Sequence, residues 1–334
     1  MTEHGDPDDQ QTLLDALDAM SAVQGGESES PRTVLVLAFK GWNDAGESAS
    51  GVLRRIRRLT EASSFESLSD ERYYDYQVLR PRVRRQTDGR RTVAWPGVRF
   101  YEAGETGERL RLIVAYGHEP SFLWKSYAER IMGIVARERV DAVVLLGAML
   151  ADTPHTRPLP TSTTSESEPL RRILGIEQSV YEGPTGMLGI LSEKFSRSGL
   201  PAVSVWVSVP HYVSQAPSPK AELALLSALE ELFGRVWPDG TLAQDAEEWE
   251  GTVNELAEAD SDISEYVHKL EQAVDSAVDA TAALPQASGE AIAKEFEQYL
   301  RAYNDDDAGG RADDDSDDES DSGGTGDAAP GQPG

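Results

Sequence analysis

The sequence has no cysteine. A disulfide framework, a thiolate zinc site and a cysteine nucleophile are therefore excluded. Long apolar runs are also missing: no stretch approaches the roughly eighteen consecutive apolar residues that a membrane helix needs. The first ten residues, MTEHGDPDDQ, carry no basic start and no apolar core, so no secretory leader is expected and a cytoplasmic location is. Basic residues are few. Lys and Arg total 31 against 59 Asp and Glu, a formal net charge of -28. That charge repels phosphate, so neither nucleic acid nor an anionic membrane is expected as a partner. Only five histidines are present, and no two stand at an i, i+4 pair or another zinc spacing, so no metal is expected. GxSxG, GxxxxGK[ST] and GxGxxG are all absent, so no hydrolase elbow, P-loop or dinucleotide loop is indicated, and no cofactor is expected.

What is present reads as alternating strands and helices. RTVLVLAF (32–39), RLRLIVAYG (109–117), DAVVLLGAML (141–150) and PAVSVWVSVPHYV (201–213) are short apolar runs of the kind found in strands buried on both faces. Amphipathic segments follow them. In the first, Asn43 or Asp44 is placed to cap a helix with Val52, Leu53, Ile56 and Leu59 inward. In PSFLWKSYAERIMGIVARERV (120–140), the inward set is Trp124, Tyr127, Ile131, Ile134 and Val135. Further helices are expected within 179–199 and 217–234. Residues 71–100 read as extended segments around an Asp88-Gly89 turn, the pattern of a hairpin. The fold class that results is α/β: a three-layer sandwich with a mostly parallel central sheet and a C-terminal helical appendage. The expected organisation is a polar extension over 1–30, with one helical patch at LLDALDAM, the α/β domain over 31–236, helices over 237–303 and an acidic, disordered tail over 304–334. Residues 301–334 alone hold eleven Asp or Glu and two Arg.

In such a fold the loops leaving the strand C-termini meet at one crevice. Four loops qualify here. GWNDAG supplies Trp42, Asn43 and Asp44; the turn after 117 supplies His118, Glu119 and Trp124; ADTPHTRPLP supplies Asp152, His155 and Arg157; the turn after 209 supplies His211. His155 suits a general base, oriented by Asp152, with Arg157 holding an anion. The alternative is a proline-fixed loop whose polar side chains bond to their neighbours. GWNDAG reads either as a phosphate cradle or as a capped turn, and Asp44 counts against the phosphate. YEGPTGMLG (181–189), with Thr185 at a helix start, is the better anion candidate, or a tight turn capped by Thr185. Arginines crowd at 54, 55, 57 and 58 and at 80, 82, 84, 85, 90 and 91, which suits a solvated face meeting the acidic tail or a partner subunit.

Five segments, FKGWNDAGESAS, YGHEPSFLW, LLGAMLADTPHTRP, YEGPTGMLGIL and SVWVSVPHYVSQAPSPKAELALL, together resemble the actinobacterial branch of the proteasome assembly chaperone 2 family, over roughly residues 32–300. The resemblance implies an α/β/α sandwich related to purine nucleoside phosphorylases. Eukaryotic members assemble proteasome α-rings and archaeal relatives form homo-oligomers, so it implies a homo-oligomeric binding or assembly protein with proteasome subunits as partners. Trp42, Asn43, Asp44, Glu119, Trp124, Asp152, His155, Thr156, Arg157, Pro210 and His211 match its pattern, and no catalytic role comes with them. The sequence ends in DAAPGQPG, without the hydrophobic-Tyr-X ending by which the eukaryotic chaperones dock. The residues themselves leave a second expectation open: an enzyme or a binder of a nucleoside- or phosphate-like ligand, using the crevice.

Overall fold

Strand β1 (Arg32–Lys40) shows why the sheet lies between two layers. Its side chains alternate. Val34, Val36 and Ala38 enter one apolar cluster, while Leu35, Leu37 and Phe39 enter another on the opposite face. Seven consecutive residues are buried, as expected of a central strand rather than of one with a wet face. The computed structural model describes residues 11–23, 30–104, 107, 109–213 and 215–283, with side chains through residue 277.

Helix α1 (Leu13–Val23) precedes β1, and α2 (Ser48–Leu59) follows it. Next come β2 (Ser63–Leu68), a hairpin of β3 (Arg82–Arg85) and β4 (Arg91–Ala94), β5 (Val98–Glu102) and β6 (Leu110–His118). Helix α3 (Trp124–Arg137), β7 (Ala142–Ala151), β8 (Thr161–Thr164), α4 (Glu168–Leu174) and α5 (Met187–Ser198) lead to β9 (Ala202–Pro210). The described chain ends in α6 (Pro219–Phe233), α7 (Leu242–Glu258) and α8 (Ser261–Ala283). The main sheet has the order β2-β5-β6-β1-β7-β9-β8. Its four central strands, β6, β1, β7 and β9, run parallel, and β2, β5 and β8 add antiparallel pairings at the flanks. The fold class read from the sequence is thus the one observed, an α/β sheet with helices on both faces and further helices after it.

Helices α2 and α6 cover one face and α3 and α5 the other. Helix α2 buries Val52, Leu53 and Ile56, each contributing about 2 kcal/mol of apolar burial. Leu59, expected inward, is largely exposed because α2 ends there. The LLDALDAM patch is α1, and its Leu13, Leu14 and Leu17 pack into the cluster on the α2–α6 face. The expected hairpin is β3–β4, with Val83 opposite Val93. Strands β2 and β8 and helix α4 carry no clear apolar period and are not expected from the sequence, whereas β5 begins inside the stretch expected to be extended. The expected second helical segment at 289–303 and the acidic tail lie outside the described residues. Among the described residues, no helix is long and apolar enough to cross a membrane.

Candidate functional site

Because β6, β1, β7 and β9 are parallel, their last residues, His118, Lys40, Ala151 and Pro210, finish on one edge of the sheet. The four candidate loops therefore leave from a common rim, as they do in open α/β sheets generally. They divide there into two groups with different surroundings.

The first group is tied to the C-terminal helices, with His155 buried and Asp152 and His211 still exposed. His155 has no solvent exposure. Its backbone N–H donates to the Tyr212 hydroxyl at 2.8 Å, and its ring Nδ1 lies 2.8 Å from the same oxygen. Nε2 lies 2.9 Å from Asn254 Oδ1 on α7. Since that amide oxygen only accepts, Nε2 carries the proton, and Tyr212 donates to Nδ1. The imidazole is neutral, and burial lowers its pKa, opposed by the Asn254 hydrogen bond. Both ring nitrogens are thus occupied by the fold. Asp152 does not orient this ring; its Oδ1 lies 3.0 Å from His211 Nδ1 and accepts from Tyr266 of α8 at 2.7 Å. Arg157 forms a bidentate pair with Asp275 of α8 at 2.9 and 2.7 Å and reaches Glu271 at 3.3 Å. These bonds hold the Asp275 carboxyl below its ordinary range. Thr156 donates to Glu271, and Lys220 bridges the His155 carbonyl and Glu250. The rings of His155, Tyr212, His211 and Tyr266 meet edge to face, with centroids 5.5–6.0 Å apart. Burial pushes the Tyr212 phenol up to about 12, so it stays a donor. The 152–157 loop is therefore clamped by α7 and α8 through polar bonds made across about a hundred residues of chain.

The second group stays at the surface. The Asn43 carbonyl accepts from Ala148 N at 2.9 Å, which extends β1 toward β7. Asp44 Oδ1 accepts from Ser50 N at 3.0 Å and so caps α2, the role read from the sequence. Burial raises its pKa. Glu119 Oε1 accepts from Met187 N at 2.5 Å, which places a carboxylate on the start of α5. The YEGPTGMLG anion candidate is thus already filled from within, and an added anion would meet Glu119 there. Glu119 is itself raised by burial. Gly186 allows this arrangement: a Cβ on it would lie 2.0 Å from Asn43 Oδ1 and 2.8 Å from Glu119 Oε1. Asn43 Oδ1 and Asp44 Oδ2 are buried and accept no hydrogen bond from a described residue. Thr185 borders the same turn and reaches only the Gly186 carbonyl, at 3.4 Å. His118 continues β6, and burial followed by the nearby Lys40 charge lowers its pKa. Trp124 begins α3 and donates to the Pro120 carbonyl at 2.7 Å.

Around these polar groups the rim is apolar. Trp42 is 62% exposed, and Phe122 and Leu123 before α3, Leu150 near the end of β7, and Val180 and Tyr181 on the α4–α5 connection are also exposed. Leu123 is 54% exposed and holds a left-handed φ of 54°, a conformation that costs a non-glycine residue about 1 kcal/mol. Sequence reading took Trp42 but not the Phe122-Leu123 pair; its signal was two large apolar residues placed before the helical period of α3 begins. Asn254, Tyr266, Glu271 and Asp275 were missed as well. The trace they leave is an Asn inside a helix, where its propensity is poor. Of two small hollows, of about 110 and 100 Å³, one lies beside Ser192 and Pro201, at the start of β9, and the other beside Trp95 and Gly97, next to the end of β6. Among the described residues, no group of His, Asp and Glu is arranged to hold a metal ion.

The fold is a mostly parallel α/β sheet whose strand-end loops are partly covered by two C-terminal helices. The PAC2 family model matches residues 38–257, and the chain belongs to the PAC2 family. A PAC2 family protein from Streptomyces avermitilis is 44% identical, over 70% of this chain and 99% of that one, with a TM-score of 0.66. A proteasome-assembly chaperone homologue from Mycobacterium tuberculosis is 39% identical over the same shares, with a TM-score of 0.63. An archaeal proteasome activator from Pyrococcus furiosus shares the fold at 15% identity, over 69% of this chain and 96% of that one, with a TM-score of 0.55. No curated protein matches the sequence.

Proposed function

We propose that this chain is a cytoplasmic, homo-oligomeric binding and assembly protein whose strand-end rim engages proteasome subunits or their precursors. The observation that carries the reading is the exposure of Trp42, Phe122 and Leu123 on the loops that leave the paired strands β1 and β6. Large apolar side chains kept in water at the end of a rigid scaffold suit a protein partner. The 39% identity to a proteasome-assembly chaperone homologue supports the choice of partner. The polar residues best suited to chemistry, His155 above all, are meanwhile used to close the fold. The test is retention of proteasome subunits or half-assembled precursors by the tagged chain from its native host. Retention that disappears in the double variant W42A/F122A supports the reading; a native chain that retains none removes it.

One observation favours a second reading. The buried oxygens Asn43 Oδ1 and Asp44 Oδ2 lack donors, which suits a small molecule rich in N–H or O–H groups, such as a nucleoside, better than phosphate. A nucleoside bound there raises the melting midpoint of the native chain, and an unchanged midpoint across nucleosides, nucleotides and phosphate sinks this reading.

A further inference from the structure

The β3–β4 hairpin stands apart from the main sheet as a two-stranded ribbon. Residues 80–95 hold six arginines and one aspartate, in a chain of net charge -28. Antiparallel register places Val83 opposite Val93 and Arg85 opposite Arg91. Since every second residue points to the same side, these four share one face. That face is open: Val83 is 57% and Val93 51% exposed, and both arginines are exposed. Among the described residues, Arg80, Arg82, Arg84 and Arg91 have no acidic partner within ion-pair distance, and only Arg90 pairs, with Asp88. Like charges directly opposite each other across a hairpin are destabilising. The ribbon thus combines an exposed apolar pair with uncompensated positive charge, which asks for an acidic, partly apolar counterpart.

Such a counterpart exists on the same molecule. Residues 242–262, spanning α7 and the turn into α8, hold eight Asp or Glu and no Lys or Arg. Glu247, Glu248, Glu255, Glu258, Asp260 and Asp262 are exposed, and none of them pairs with a described cation. Leu256 stands exposed among them. The two surfaces do not meet within one chain. The ribbon is rooted at Tyr76 and Leu79 in the cluster on the α3–α5 face, with Tyr76 packed against Trp95. Helix α7 is rooted by Leu242 in the cluster on the α2–α6 face.

We infer that the β3–β4 ribbon of one copy docks on the acidic outer face of α7 of a second copy, making a head-to-tail contact. The occupant is a second copy because its charge, its exposed leucine and its lack of internal partners match what the ribbon presents. A contact between two different patches leaves one of each free at the ends, so it closes as a ring or continues as a chain of subunits. Steering by opposite charge makes the contact strongest at low salt. The inference rests on the oligomeric reading above and supplies its interface.

The experiment is light scattering of the full chain at low and high salt, with two charge-reversed variants: R85E/R91E on the ribbon and E248R/E255R on α7. All four positions are at the surface, and circular dichroism confirms that each variant is folded. The native chain is expected to exceed monomer mass at low salt and to lose mass as salt rises. Each variant alone self-associates at least about tenfold more weakly. An equimolar mixture associates again above monomer mass, because each reversed surface then finds an opposite one on the other variant. A monomeric native chain, an assembly unaffected by either reversal, or a mixture that fails to recover overturns the inference. Proteasome retention is read separately, so its loss with an unchanged mass strikes the functional reading alone, and the converse strikes the interface alone.

Discussion

The 152–157 loop and the rim around Trp42 leave the same edge of the same sheet, and both are rich in residues suited to recognition. Their fates differ because of what packs on them. Helices α7 and α8 cover the first and satisfy it: His155 is bonded at both nitrogens, and Arg157 is held by two carboxylates. Nothing among the described residues covers the second, which keeps Trp42, Phe122 and Leu123 in water. Residue type alone therefore does not mark a working site. A histidine in a loop becomes a structural post when an amide and a phenol reach it first.

The comparison can be broken at its clamped side. His155→Ala removes both ring bonds, strips half-buried Asn254 of its partner and leaves Tyr212 only the backbone N–H of residue 155, with an expected loss of about 3 kcal/mol in chemical denaturation. Tyr212→Phe keeps the ring but strips the His155 N–H and Nδ1 of their partner, and about 1–2 kcal/mol should go. A loss under half a unit of energy in both variants would mean that the loop is not held by these bonds.

Acidification tests the same anchor without mutation. Burial lowers the His155 pKa from 6.5, so the unfolded chain binds its proton more readily than the folded one. The stabilisation is present above 6.5 and is lost as pH falls through the folded value. Glu250 and Glu271 face the ring and favour its charge, whereas Lys220 opposes it. Asp44 and Glu119 are raised instead and act with the opposite sign, their contribution being lost as pH rises. The readout is accordingly local: amide exchange in α7 should accelerate below pH 6.5 before exchange in β1 does. Equal acceleration in both would detach the effect from His155.

Smaller effects sharpen the contrast. Arg157→Ala breaks a partly exposed pair and should cost less than about 1 kcal/mol. At the open rim, W42A/F122A is expected to leave stability within about 0.5 kcal/mol of the native chain, since exposed side chains contribute little to the fold. Destabilisation well beyond that would show that the rim is packed rather than presented.

How much of this was legible follows from range. The four central strands were readable because burial on both faces writes an unbroken apolar run, as RTVLVLAF does. Strand β8, TSTT, was not, since it lies at the sheet's edge and its partner β9 supplies the order. The convergence of the four loops followed from parallel topology alone. Their division did not, because the partners of Asp152, His155 and Arg157 lie on helices 99 to 118 residues further on. Acidic residues on a helix look alike whether they face water or an arginine, so Glu271 and Asp275 carried no mark in the sequence. Asp44 was legible because its partner, Ser50, is six residues away.

The distance between His155 and Asn254 also sets an order of events during synthesis. By Phe233 the ribosome has delivered the seven strands of the main sheet and the helices α1 to α6. The lock on the 152–157 turn must wait until Asn254 has left the exit channel. A nascent chain stalled between those two points should be cut by protease at Asp152–Arg157, where the finished chain resists.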